Sequence, residues 1–551
     1  MMVMGAFLIG VLITALTVPT HSTKGAVLGG LGVSTSATEG SPAPEAVSAG
    51  GVGGAGGVGS AGGAGGGAPG GVAVGVGGTT VAGGTGGGGG GGLPDTVAAS
   101  GATGAGELAS GPRGSSGVGG YNAAPAGGNG GATASGVTAT SVNVGIFGGN
   151  SQAVSAACPR CGGVNEGTDE ALVAGLFALW HKEGKLPIYG RDFNPEFEDV
   201  GDLDSSDDAS ACDALVAEHP LVILTAAGAD GADNCFTEQD HILLVDGAGG
   251  IQEEQVLQSF PYFWELSPNI ETIQVGFAQW ANQMGLLKGQ VIGVYSPNDA
   301  SDFAYATNEQ QDLEATFFAE LKQLGYHVTE DYEYNEEGAS DDPIAAAKMK
   351  AEGVTTLFIF GDLTEPSGFQ NQAEQIEYNP KYPITDEGGQ NFDDSLADVE
   401  YNANAENGNY LYANRWWNWS ARDPATPADN PAAVECLTAF ENAAHATLDV
   451  YNDDAKIHYI LDECADLQVI RQAIVNAGPH LTQATFNAGM AQIQNMQTGE
   501  FSSITFGPHR YFGDNDWQSA LFNRNRWQPS DDYVKTLGPY TPFSTFDDWP
   551  A

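Results

Sequence analysis

The chain has 551 residues, 19 of them Lys or Arg against 69 Asp or Glu, for a formal net charge of −50. A field of that sign and size repels nucleic acid and anionic lipid headgroups and excludes both as partners. We read the acidity as an adaptation for solubility in a salty or alkaline setting rather than as a surface made for a cationic partner.

Taken in chain order, Val3 to Val18 (VMGAFLIGVLITALTV) is an uninterrupted apolar run with the length of a signal-peptide core, short for a membrane span. No Lys or Arg precedes it, an Ala-x-Ala cleavage pattern is missing, and no cysteine follows closely to carry a lipid. A cleaved leader, an uncleaved anchor and a misassigned start all fit. Export is common to the first two, and residues 1–24 are the one expected point of membrane contact. From Gly25 to Ser141 the chain is glycine, alanine, serine and valine with hardly an aromatic, a composition that cannot bury enough apolar surface to offset the entropy of ordering. It reads as a disordered tether. Val142 onward holds nearly all the aromatic residues and is long enough, at roughly 400 residues, for two lobes with a large core.

In that part strand and helix patterns alternate. Val142 to Phe147 (VNVGIF) predicts a strand, Glu170 to Lys182 a helix ending at Gly184, and Leu186 to Phe193 a second strand. Asp208 to Glu218 predicts a short helix. Leu221 to Thr225 (LVILT) and Ile242 to Val245 (ILLV) are continuous apolar runs of the kind covered on both faces in parallel sheets, with a crossover beginning at Cys235 to His241 between them. Glu271 to Met284 predicts a helix, Val291 to Tyr295 a strand, Gln311 to Leu324 a helix closed by Gly325, and His327 to Tyr334 a strand. Pro343 to Ala351 predicts a helix capped by Asp341 or Asp342, Thr356 to Phe360 a strand running into Gly361-Asp362, Phe369 to Tyr378 a further segment, and Tyr382 to Thr385 a strand before Asp386. Such repeated βα units predict α/β architecture with doubly wound parallel sheets and loops gathered at the strands' C-terminal ends, and two sheets fit better than one.

The six cysteines fall in three local groups: Cys158 with Cys161, Cys212 with Cys235, and Cys436 with Cys464. An even count grouped this way in an exported chain favours three disulfides between near neighbours. Cys158-Pro-Arg-Cys161 alone also fits a redox dithiol, since thiols so spaced can have lowered pKa, but it falls in a long loop and Gly162-Gly163 follows it. Asp202 to Asp208 (DLDSSDD) has the density of a calcium loop, yet the sixth place is Asp207 instead of Gly and the twelfth is Asp213 instead of Glu, so it reads as a solvated loop.

The order and spacing of these units, anchored on the bracketed stretch Cys212 to Cys235, on VIGVYSPNDASDF (Val291 to Phe303), and on Thr356 to Asp362 followed by Pro383 to Gly388, resemble the type I periplasmic binding proteins. The likeness is to their leucine/isoleucine/valine-binding family of ABC-transporter substrate-binding proteins and spans Val142 to about Tyr540. It implies two Rossmann-like lobes joined by a three-crossover hinge and closing over a small solute. By resemblance the first lobe would be residues 142–267 and 389–502, and the second 268–388 and 503–545.

The resemblance also places a candidate site. The loop with Asn150 and Ser151 matches the one after the family's first strand. Ala226 and Ala227 stand where amino-acid binders offer a Ser for the α-carboxylate, and Asp246-Gly247 where they offer an Ala-Thr type pair; an Asp there repels a carboxylate and favours an amine or a hydroxyl-rich ligand. Phe303 matches a stacking Tyr, Asp362 and Asp386 lie where an acid takes the ligand's ammonium, and Trp416 with Trp417 would form an apolar wall. Acids at such positions also cap helices, and tryptophans also fill cores, so each has a structural reading beside the ligand-binding one.

No nucleophile elbow, zinc-protease motif or phosphate loop occurs, the nine histidines are scattered, and the glycine tract from Gly50 to Gly92 is too irregular for a dinucleotide fingerprint. The expectation is therefore a non-enzyme without cofactor or metal. It is an extracytoplasmic receptor of an ABC-type uptake system, taking a small polar solute such as an amino acid or amide and presenting it to a membrane permease. A sensory or surface receptor with the same fold, and a structural envelope protein, are the alternatives.

Overall fold

The computed structural model describes residues 121–148, 166–199, 205–225, 235–239, 241–247, 257, 262–297, 313–334, 341–360, 364–385, 411–415, 430–449, 453–514, 516–522, 534–536 and 541–542. The chain divides into two compact units, Ser22–Ser115 and the remainder. Every described residue belongs to the second.

A first parallel sheet is built from β1 (Ser141–Gly148), β2 (Asp192–Asp199), β3 (Val222–Thr225), β4 (Leu243–Asp246) and β5 (Phe263–Glu265), in the order β2-β1-β3-β4-β5. The apolar runs seen in the sequence supply its centre. Val222 and Leu224 face one core with Val144, Ile146, Leu243 and Val245, while Ile223 and Leu244 face another with Phe263 and Phe236. Both faces are thus buried, as period-two alternation within an all-apolar strand requires.

Two differences from the sequence expectations arise here. The second strand is Asp192–Asp199, not Leu186 to Phe193. Leu186 and Ile188 are buried in the core, but in a turn closed by the bridge from Ile188 to Arg191. The true strand carries Pro195, which an edge strand tolerates because one row of its amides needs no partner. The crossover expected to begin at Cys235 is one π-helical turn, Cys235–Gln239.

The expected tether is also shorter than composition suggested. Residues 121–141 pack on the first lobe: Val137 and Asn129 are buried, Ala134 bridges Val137 and Val137 bridges Val142. Among the groups that hold them is Arg191, whose guanidinium is almost wholly buried and donates to the carbonyls of Thr138 (2.7 Å), Pro479 (2.7 Å), Gly131 (3.1 Å) and Asn129. Composition could not register a single distant arginine.

The second lobe centres on β6 (Ile292–Pro297), β7 (Val328–Tyr334) and β8 (Thr356–Ile359), parallel in the order β7-β6-β8. A parallel bridge from Thr356 to Lys381 leads from β8 toward β9 (Pro383–Thr385), which pairs with β10 (Leu411–Arg415), and β11 (Asp516–Phe522) closes on β10 antiparallel. Its two faces are again both filled. Val294, Phe358 and Phe360 pack with Phe277, Trp280 and Phe317, and Tyr295, Leu357 and Ile359 pack with Tyr334, Phe369 and Tyr382. The helix expected over Gln311 to Leu324 is interrupted at Thr316 (φ −110°, ψ −83°), where its hydroxyl donates to Gln274.

Three helices without a counterpart in the sequence reading complete the first lobe: α7 (Pro431–Ala444), α8 (Asp454–Ala477) and α9 (Gln483–Met490), numbered after α1 (Glu166–Glu183), α2 (Ser205–Ala217), α3 (Ile270–Gln283), α4 (Phe317–Gln323), α5 (Asp342–Glu352) and α6 (Thr364–Gln375). Asn430 caps α7 by accepting from the amides of Ala432 and Ala433, and Thr482 and Thr485 form a reciprocal capping box on α9. α8 is a central helix, with Ile457, Ile460, Leu461, Leu467, Ile470 and Ile474 all in the core. Burial on nearly every side removes the one-sided stripe by which helices are read from sequence.

Candidate functional site

In both sheets the order reverses once, between β1 and β3 in the first and between β6 and β8 in the second. Open α/β sheets form their crevices beyond the strand C-termini at such reversals, because neighbouring connections leave to opposite faces there. Asn150 and Ser151 follow β1, Ala226 and Ala227 follow β3, Phe303 follows β6 and Asp362 follows β8, so in chain order these residues come just after the four strands that flank the two reversals. Asp386 comes after β9 and Trp416 after β10. All eight, with Trp417, lie outside the described residues, as do Cys158, Cys161 and the start of the DLDSSDD loop.

Asp246 and Gly247 are described. Asp246 ends β4 in register with Thr225 on β3 and Glu265 on β5. Parallel partners in register present side chains to the same face, so these three polar residues form a row across the C-terminal end of an otherwise apolar sheet. All three are fully buried, and the Thr225 Oγ1 makes no hydrogen bond. Gly247 points the other way, onto α8. A Cβ there would meet Asp462 Oδ1 at 2.6 Å and Asp466 Oδ1 at 3.0 Å. An added methyl would therefore push on two carboxylates one helical turn apart. Gly247→Ala is expected to destabilise the protein by about 1–3 kcal/mol through overpacking, read as a lower urea midpoint with an unchanged slope.

Sequence reasoning missed these α8 acids. Asp462, Glu463 and Asp466 are buried, as are Glu500, Asp514 and Asp169. Burial holds the carboxyl of Asp462 well above the usual range, and the neighbouring Glu500 and Asp246 push it further. Burial and then Asp169 and Asp462 do the same to Glu463. Burial, with Asp462, Asp246 and Glu265, raises Asp466, the nearby Gly247 amide opposing. The available signal was three acids inside DECADLQVI, a stretch otherwise of core residues.

Beside this cluster run two chain crossings. Leu266 donates to the Asp246 carbonyl (2.7 Å), Glu265 donates to the Tyr511 carbonyl (2.8 Å), and Asp514 and Gly513 donate to the carbonyls of Leu266 (2.8 Å) and Ser267 (3.2 Å). Residues 265–267 and 511–514 therefore lie side by side. The first leads into α3, whose cap is Asn269, and the second into β11. At the start of β11 burial pushes the Asp516 carboxyl up to about 6, although the Ser502 hydroxyl donates to it.

Two disulfides are in place, Cys212 to Cys235 and Cys436 to Cys464. The first ties α2 to the π-helical turn on one face of the sheet, and the second ties α7 to α8 on the other. Among the described residues no helix is long and apolar enough to cross a membrane.

No family model matches the chain, and no curated protein does. Solved structures do match. A leucine-binding protein of Thermotoga maritima superposes with a TM-score of 0.51 at 14% identity, covering 74% of this chain and 99% of its own. A fatty acid ABC transporter substrate-binding protein of Thermomonospora curvata gives 0.50 at 12%, covering 74% and 94%. A type 1 periplasmic binding protein of Bordetella pertussis also gives 0.50 at 12%, covering 72% and 100%. The chain thus has the type I periplasmic binding fold, as its βα order and the resemblance implied. Likeness at such identities establishes the fold and nothing finer.

Proposed function

We propose that the protein is an extracytoplasmic solute-binding receptor that captures a small polar molecule between two lobes and hands it to the permease of an ABC-type uptake system. We assign residues 142–267 with about 430–512 to the first lobe and 268–415 with about 513–545 to the second, since β10 pairs with β9 of the second lobe and Ile504 and Phe506 lie in the first-lobe core. The observation that carries the reading is the pair of parallel sheets, each with one order reversal, linked by side-by-side crossings at residues 265–267 and 511–514. A solute touching both lobes stabilises the closed arrangement over the open one, which is the differential affinity that hinge closure needs.

The contacts are assigned to Asn150, Ser151, Ala226, Ala227, Asp246, Gly247, Phe303, Asp362, Asp386 and Trp416. Acids at Asp362 and Asp386, and no hydroxyl at Ala226 or Ala227, favour a solute bearing an amine over one held by its carboxylate. The similar structures give no closer guide, since one is named for leucine and another for fatty acid. Two disulfides support a site outside the reducing cytoplasm. The role is binding and not catalysis.

Equilibrium dialysis of the full chain against pooled amino acids, amides, polyamines and sugars, read by mass spectrometry, tests the proposal. Retention of one chemical class above the protein-free control is expected, with amines retained best. Retention of none at protein concentrations near 0.1 mM would remove the receptor reading.

A further inference from the structure

We propose that the acids packed between α8 and the end of the first sheet form a proton-held lock, which keeps the crossing strands seated while neutral and releases them when ionised. The geometry carries this. Asp246 and Glu265 stand in register at the sheet end, Asp462 and Asp466 press on Gly247 from the helix, and Glu500 acts on Asp462. Glu463, one residue further round α8, faces Asp169 of α1, which in turn accepts from the Tyr459 hydroxyl (2.8 Å). The side chains that act on the three α8 acids from β4, β5, α1 and residue 500 are thus carboxyls, with the Gly247 amide opposing them at Asp466.

A second observation points the same way. Glu463 is fully buried and, among the described residues, neither of its oxygens has a hydrogen-bond donor, as is the case for Asp462 Oδ1. An ionised carboxylate without water, donor or cation is among the costliest groups a protein interior can hold. A proton removes that cost without adding volume. Among the described residues no three such side chains are arranged to hold a metal ion, which favours the proton over a divalent cation.

The lock touches the crossings directly. Asp246 accepts from Leu266 through its carbonyl, Glu265 Oε1 accepts from the Ser267 amide (3.1 Å), and Leu266 and Ser267 accept from Asp514 and Gly513. Of these contacts only the Glu265 carboxyl is ionisable, so ionisation acts on residues 265–267 and through them on the bonds from Gly513 and Asp514. The sign follows from linkage: acids whose folded-state pKa is raised bind more protons folded than unfolded. Their stabilising contribution is complete below the ordinary carboxylate range and is lost as pH rises through the raised values. Any effect on solute capture rests on the hinge reading above, whereas the lock itself is tested without solute.

The test uses the full chain, Asp462→Asn with Asp466→Asn, and separately Glu463→Gln in case the double variant fails to fold. Unfolding is followed by calorimetry at about pH 8 in buffers of different ionisation enthalpy, where exposed carboxylates are ionised in both states. Wild type is expected to release protons on unfolding and to melt lower as pH is raised from about 5 to 9. Each variant should release fewer protons and flatten the alkaline decline, and exchange at the Leu266, Gly513 and Asp514 amides should quicken at high pH in wild type alone. A variant with the wild-type pH profile, or a wild type that gains stability with rising pH, would overturn the lock. Alkaline stability that depends on added calcium, with no proton released, would assign the neutralising charge to a metal ion and overturn it equally.

Discussion

Replacing Arg191 with methionine is expected to destabilise the first lobe by about 4 kcal/mol and to detach residues 121–140 from it. The side chain is almost wholly buried and its four hydrogen bonds go to backbone carbonyls, three of them in residues 129–138 and one at Pro479. Methionine fills much of the same volume but donates nothing. Each charge-assisted bond contributes about 1.5–3 kcal/mol, and only part is recovered when a freed carbonyl turns to water. Lysine should rescue poorly, because a single ammonium cannot reproduce the planar fork that serves three separate chain segments. Urea unfolding gives the energy, and hydrogen exchange over Tyr121 to Thr140 shows where it is lost. A midpoint within experimental error of wild type would mean that these residues rest on the lobe without stabilising it.

The second large effect is expected from losing the bond between Cys436 and Cys464. Their sequence separation of 28 corresponds to a loop whose closure restricts the unfolded chain by about 3 kcal/mol. Both sulfurs sit in the core between α7 and α8, and Gly499 passes so close that a Cβ there would meet Cys436 Sγ at 2.8 Å. Replacing both cysteines by alanine therefore adds lost packing to lost restraint. The paired substitution should lower the melting temperature by roughly 5–10 °C, and reducing agent should reproduce most of the shift in wild type and none of it in the variant. Equal sensitivity to reductant in both would place the effect at the other disulfide. Because Cys464 lies between Asp462 and Asp466 on α8, this bond also fixes the helix that carries the acids.

The parts of this fold legible in the sequence were those with one strong local signal. LVILT and ILLV read as buried parallel strands because every position is apolar, and both are central strands with two covered faces. The Cys212 to Cys235 pair was legible from spacing. The misplaced second strand had two competing signals: Leu186 and Ile188 are core residues without being strand residues, while the acid-rich DFNPEFED reads poorly as a strand because it lies on an edge. α8 was passed over for the opposite reason, being buried on nearly every side and carrying acids that no local rule places inside.

At the site, sequence gave the type of residue at each strand end but not its surroundings. Asp246 was singled out as an oddity of the binding loop. The structure adds that it stands in the middle of a buried row with Thr225 and Glu265, and that the next residue, Gly247, lies against two further acids on α8. Those α8 acids are more than 200 positions away, so only folding brings them together.

The account centres on two lobes that close over a solute, and small-angle X-ray scattering tests this most directly. The full chain would be measured alone and with saturating amounts of whichever solute class dialysis retains. The account predicts a smaller radius of gyration with the solute than without it. An unchanged radius in the presence of a solute that is demonstrably bound would contradict closure.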